Sequence, residues 1–203
     1  IFIFVIFKEL TVNKLILNNE TALVDFNPFS KCIINEIICG NKFKHTGNIC
    51  YSGSSIVYCY NNDINYLNLD KIDFIYPSAF ENVQKIDKLV CLNDKFGSFN
   101  EISHIAFNSI SLTNDGPLDL ANLFTASKET LSYLKFNGKE IKTNCFEGFK
   151  ELSTVILDNV ETLESGCFSK NCFKKDITLS LLGVKTIKPK TLCAVKNIGK
   201  IRG

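Results

Sequence analysis

Apolar residues recur along the chain in a fixed, widely spaced order. The clearest instance is Leu67-x-Leu69-x-x-Ile72-x-x-Ile75, followed after three residues by Ala79-Phe80-x-x-Val83-x-x-Ile86. The same skeleton returns from Val155 to Phe168 and from Leu179 to Ile198, and one residue shorter in its middle from Leu134 to Leu152. Within each copy the opening x-L-x-L-x stretch alternates with period two, the signature of a strand with one buried face. Fainter copies extend the series, with strands expected to start at Leu15, Ile37, Leu67, Leu89, Ile105, Leu134, Val155, Leu179 and Ile201. Their spacings, from 16 to 30 residues, average about 23. A period of that size means a solenoid, because one such unit cannot bury its apolar side without a neighbour on each side.

The motif L-x-L-x-x-I-x-x-I-x-x-x-A-F resembles the BspA-type leucine-rich repeat, over roughly two-thirds of the chain from Ile64 to Ile201. Ile72, Val160 and Val184 stand where commoner leucine-rich repeats carry asparagine, which fits that variant. The fold expected is α/β and strand-rich, a leucine-rich-repeat solenoid with a parallel β-sheet on one face. Short irregular or helical segments are expected on the other. Residues 1–203 are read as a single irregular domain, with degenerate repeats or a cap over 1–63 and clearer repeats over 64–203. Nine strands stacked about 4.8 Å apart predict a sheet roughly 38 Å long. The resemblance also implies adhesion or host contact at a cell surface.

The two longest spacings read as insertions. Strand-favouring residues around Ser52-Gly53-Ser54-Ser55 predict a hairpin within residues 40–63. Turn chemistry at Asn114-Asp115-Gly116-Pro117, then Leu120, Leu123 and Phe124 at helical spacing, predicts a short helix within an insertion near 113–130.

Composition narrows the role. A net charge of +2 removes the electrostatic basis for nucleic-acid binding, and 45% hydrophobic residues exclude a disordered chain. The run Ile1 to Phe7 is far short of the about 20 residues a membrane-spanning helix needs. It is read as a buried strand or cap, or as the remnant of a secretory signal. The absence of methionine is read as a processed chain or a piece of a longer one. The 17 phenylalanines are largely a repeat position filled again and again, a spine on the wall opposite the sheet.

Of nine cysteines, Cys39 and Cys91 replace a strand leucine, and Cys145 and Cys167 replace the small residue before the spine phenylalanine. They are read as small buried hydrophobes. Cys32, Cys50, Cys59, Cys172 and Cys193 remain for pairing in an oxidising compartment, Cys50 with Cys59 being preferred. No C-x-x-C pair, phosphate loop, dinucleotide fingerprint or serine-nucleophile motif occurs, and no cofactor or metal is expected. His45 and His104, the two histidines, are read as surface residues.

The outward sheet positions carry the candidate function. The binding-face candidates are Tyr66, Val90, Leu92, His104, Tyr133, Lys135, Ile156 and Leu182. Aromatic and apolar anchors of this kind dominate interface energetics. The expected role is a non-catalytic recognition or adhesion module for a protein or glycan partner, secreted or at the cell surface. One sequon, Asn19-Glu20-Thr21, goes with that reading. An intracellular, cytoplasmic interaction scaffold is the second reading, and an enzyme whose site no motif reveals is the third.

Overall fold

The computed structural model describes residues 9–19, 21, 29, 31–60, 64–168, 172–173, 176–193, 195 and 198–202. The apolar run at residues 1–7 lies outside them, as does Glu20 of the sequon. The chain opens with four short strands: β1 (Thr11–Val12), β2 (Leu15–Leu17), β3 (Ile33–Ile34) and β4 (Ile37–Cys39). Three further strands follow, β5 (Phe43–Thr46), β6 (Ile49–Ser52) and β7 (Ser55–Cys59). The clearer repeats carry β8 (Tyr66–Asn68), β9 (Phe74–Ile75), β10 (Lys85–Cys91), β11 (Ala106–Thr113), β12 (Tyr133–Asn137) and β13 (Thr154–Asp158). They end with β14 (Thr162–Leu163), β15 (Ile177–Ser180), β16 (Thr186–Ile187) and β17 (Ile198–Arg202).

The main sheet is seven-stranded, wholly parallel and runs in chain order: β8, β10, β11, β12, β13, β15, β17. Its register confirms the solenoid. Leu67 pairs with Leu89, Leu89 with Ile110, Ile110 with Leu134, Leu134 with Val155, Val155 with Leu179 and Leu179 with Ile201. All of these except Ile201 are buried. The strand expected to open at Ile201 is therefore present, as β17.

One unit needed re-phasing. The sequence places its strand start at Ile105, but the residue that aligns with Leu89 and Leu134 is Ile110. Ile105-x-Phe107 mimics the strand doublet because both residues are also fully buried. Ile105 lies just before β11 and Phe107 near its start, where it pairs with Ile86. With Ile110 as the start, the irregular spacings of 16 and 29 become 21 and 24. The segment 113–130 is thus an ordinary coil of the solenoid and no insertion. Its expected helix is a single turn, α1 (Leu120–Leu123), followed by a 3-10 turn at Thr125–Ser127.

The wall opposite the sheet contains almost no helix. It is made of short parallel contacts, the two-residue pairing of β14 with β16 and the single bridge Leu118 to Ile141, joined by tight corners. At three equivalent corners the residue just before the small-plus-Phe pair has positive φ, Ser78 (57°), Asn144 (58°) and Gly166 (74°), and Lys190 (65°) does the same before Thr191-Leu192. The corner turns the small residue and the ring inward, so Phe80, Phe146 and Phe168 are buried. Phe146 and Phe168 stack at 4.7 Å and 10°. Phe124 holds the corresponding place in the re-phased coil, edge-on to Phe99 and Phe107. The phenylalanine spine is real.

Side-chain polar contacts repeat at the coil period. Asn35 donates to Asn13 (3.2 Å), Asn159 to Asn137 (2.7 Å), Lys142 to Asp119 (3.0 Å) and Lys188 to Glu164 (2.7 Å). Inside the core, Ser127 is fully buried; its Oγ accepts the Phe107 N–H (2.9 Å) and donates to the Ile105 carbonyl (3.3 Å). Ser127→Ala leaves the Phe107 N–H without this acceptor. It is expected to destabilise by about 1–3 kcal/mol in urea unfolding, with the m-value unchanged.

The hairpin expected within 40–63 is present. Ser52 pairs with Ser55 across Gly53 (φ 59°), and β5 adds a third antiparallel strand through Gly47 (φ 57°). This meander stands between β4 and β8, so β2 with β4, and β1 with β3, form separate two-stranded sheets. The main sheet therefore has six intervals, about 29 Å, in place of roughly 38 Å. The meander caps a second small core containing Leu17, Ile34, Ile37, Phe43 and Tyr58, whose hydroxyl donates to the Cys32 carbonyl at 2.7 Å.

Candidate recognition face

Alternation within the main strands sends one set of side chains into the core and the other outward on a preformed ladder. Near the β8 edge of the ladder, Tyr66 and Leu92 are each about half exposed and Val90 is half-buried. The Lys88 ammonium lies 5.8 Å from the Tyr66 ring centroid, a cation–π contact. Asp70 accepts the Leu92 N–H at 2.7 Å, fixing the backbone that presents Leu92. Further along lie Tyr133, Lys135, Ile156 and Leu182, the last 68% exposed. Lys135 pairs with Asp158 (3.0 Å), and that hydrogen bond and charge hold its pKa above the ordinary lysine value.

Between these two groups the re-phasing changes the surface. His104, expected on this face, lies in the turn before β11, and its Nε2 contacts the Phe80 carbonyl at 3.0 Å. The outward positions of β11 are Ser109, opposite Lys88 and Tyr133, and Ser111, opposite Val90 and Lys135. Thr113 follows, opposite Asn137. A strip of small hydroxyls thus separates two apolar patches. The signal that would have found it was the even coil length from Leu67 onward, broken there only by the Ile105 phase.

A shallow cleft of about 330 Å³ opens beside Leu182, lined also by Asn137, Asp158, Asn159 and Gly183. Close packing of the chain past Gly183 shapes it: a Cβ there would sit 3.0 Å from the Asn159 nitrogen. The cleft has a carboxylate, two carboxamides and one apolar wall. Ser180, opposite Ile156 in the ladder, is buried at 7% exposure.

The core cysteines are packing residues. Cys91, Cys145 and Cys167 are fully buried, and burial pushes the Cys91 thiol up to about 11 and Cys167 to about 12, with Cys145 higher still. Such thiols carry negligible thiolate at neutral pH. The expected Cys50–Cys59 pair is not formed. In the β6–β7 register Cys59 faces Ile49 while Cys50 faces Tyr58, and the sulfur beside Cys50 is that of Cys39, 3.7 Å away. His45 stacks on Tyr60 at 5.0 Å and 17° and hydrogen-bonds its hydroxyl.

Among the described residues, no group of three or more His, Cys, Asp or Glu side chains is placed to hold a metal ion. No helix among them is long and apolar enough to cross a membrane. No family model, curated protein or solved structure matches this chain.

Proposed function

We propose that the chain is a non-catalytic recognition module, of the BspA-type leucine-rich-repeat kind, that presents its sheet face to a protein or glycan at a cell surface. The observation that carries this reading is the face itself. Tyr66 and Val90 near one end and Ile156 toward the other stand outward on one continuous strand ladder, with Leu92 and Leu182 exposed just past the ends of β10 and β15. A rigid backbone lowers the ordering cost of binding, and separated apolar anchors give a partner two points of purchase. The hydroxyl strip of Ser109, Ser111 and Thr113 between them supplies donors and acceptors without bulk. The near-neutral charge suits recognition by shape rather than by long-range attraction.

The test is a binding screen of the purified chain on a glycan array and on immobilised extracellular-matrix proteins. A double variant, Leu92→Asp with Leu182→Asp, runs beside it. Binding that drops at least tenfold in the variant, with an unchanged melting temperature, is the expected result. No bound species on either panel, or equal binding by both chains, overturns the proposal.

A further inference from the structure

We infer that Cys39 and Cys50 form a reversible disulfide that pins the inserted meander to the N-terminal coils. The two residues are eleven apart in sequence but belong to different layers: Cys39 ends β4, and Cys50 lies in β6 of the meander. Their sulfurs are 3.7 Å apart, in van der Waals contact. Closing to a disulfide bond of about 2.05 Å needs a shift of about 1.7 Å, within reach of side-chain rotation. Cys39 is the last residue of its strand, where it pairs with Leu17.

The two sulfurs have different access, which orders the chemistry. Cys50 is fully buried, whereas Cys39 is half-buried and open to a solvent-borne oxidant. Burial, reinforced by the neighbouring Cys39, pushes the Cys50 thiol up to about 12, so Cys50 is not the sulfur that reacts first. With glutathione disulfide as oxidant, the Cys39 thiolate attacks one glutathione sulfur. The glutathione S–S bond breaks, a Cys39–glutathione bond forms, and one glutathione thiolate leaves. Cys50 then gives up its proton, and its sulfur attacks Cys39. The mixed disulfide breaks, the Cys39–Cys50 bond forms and the second glutathione leaves as thiol. Two protein thiols are oxidised and one glutathione disulfide is reduced to two thiols.

The bond would close an eleven-residue separation within a segment otherwise held by Phe43, Val57 and Tyr58 in the small core. The full chain is equilibrated in glutathione buffers of rising oxidised fraction, trapped with an alkylating agent and mapped by mass spectrometry. Cleavage after Glu36 separates Cys32 from Cys39, and cleavage after Tyr51 separates Cys50 from Cys59. The expected product is a peptide linked through Cys39 and Cys50, lost on reduction and absent from Cys39→Ser and Cys50→Ser. Oxidation is expected to raise the melting temperature by about 5–10 °C in the wild type and not in Cys39→Ser. Both thiols alkylated in excess oxidant, a lasting glutathione adduct on Cys39, or a link from Cys50 to any other cysteine overturns the inference. A Cys39–Cys50 link without a thermal shift overturns the pinning.

Discussion

Phe146→Ala is expected to lower stability by about 3–5 kcal/mol, measured as a fall in the urea midpoint at unchanged m-value. The ring is fully buried in the middle of the array, so its removal loses transfer energy and leaves a cavity. The coils above and below are parts of one ladder, which limits how far the walls can collapse into the space. Phe168→Ala is expected to cost a similar amount, since that ring is 1% exposed at the equivalent corner. The rings stack at 4.7 Å, so each single variant already loses the pair contact. The double variant is therefore expected to cost less than the sum of the singles, by about 0.5–1.5 kcal/mol. Costs below about 1 kcal/mol for both singles would contradict a buried spine.

A second large effect comes from adjacent residues in β12. Leu134→Lys is expected to abolish cooperative unfolding, while Lys135→Leu is expected to change stability by no more than about 1 kcal/mol. Leu134 is fully buried between Ile110 and Val155, and the buried residues of the flanking strands, Ile110, Leu112, Val155 and Leu157, offer an ammonium no carboxylate, Asp158 being engaged by Lys135. Its cost exceeds about 4 kcal/mol, a large share of the stability of an ordinary domain. Lys135 points the other way, and its pairing with Asp158 is partly solvent-exposed. Circular dichroism during thermal melting separates the two cases. Equal tolerance of both substitutions would mean that the strand faces are assigned the wrong way round.

Much of this architecture was legible in the residues. The doublets Leu67/Leu69, Leu134/Phe136 and Val155/Leu157 alternate with less buried residues between them; Leu179/Leu181 is buried too, together with the Ser180 between them. The small-plus-Phe pair marked the corner, because a ring that size fits only if the residue before it leaves room. Where reading failed, local chemistry was ambiguous. Ile105-x-Phe107 and Ile110-x-Leu112 are equivalent as apolar doublets, and only the pairing of Ile110 with Leu89 and Leu134 decides between them. That one phase error placed His104 on the face and hid Ser109, Ser111 and Thr113. Helix on the far wall was expected from the Leu120/Leu123/Phe124 spacing. A coil of 21 to 24 residues spends most of its length on the strand and its corners, which leaves room for one turn there. The Cys50–Cys59 expectation failed because the hairpin, closed at Ser52 and Ser55, sets Cys59 opposite Ile49 and Cys50 opposite Tyr58.

The polar contacts that recur one coil apart, such as Asn159 to Asn137 and Lys188 to Glu164, have a mechanical consequence. Each coil is coupled to its nearest neighbours and to little else, so disturbance travels along the array like the opening of a zip. At the meander the hydrogen-bonded ladder is broken between β4 and β8. Loosening at the first coils should stop there, leaving the seven-stranded sheet closed while the N-terminal strands exchange their amide hydrogens.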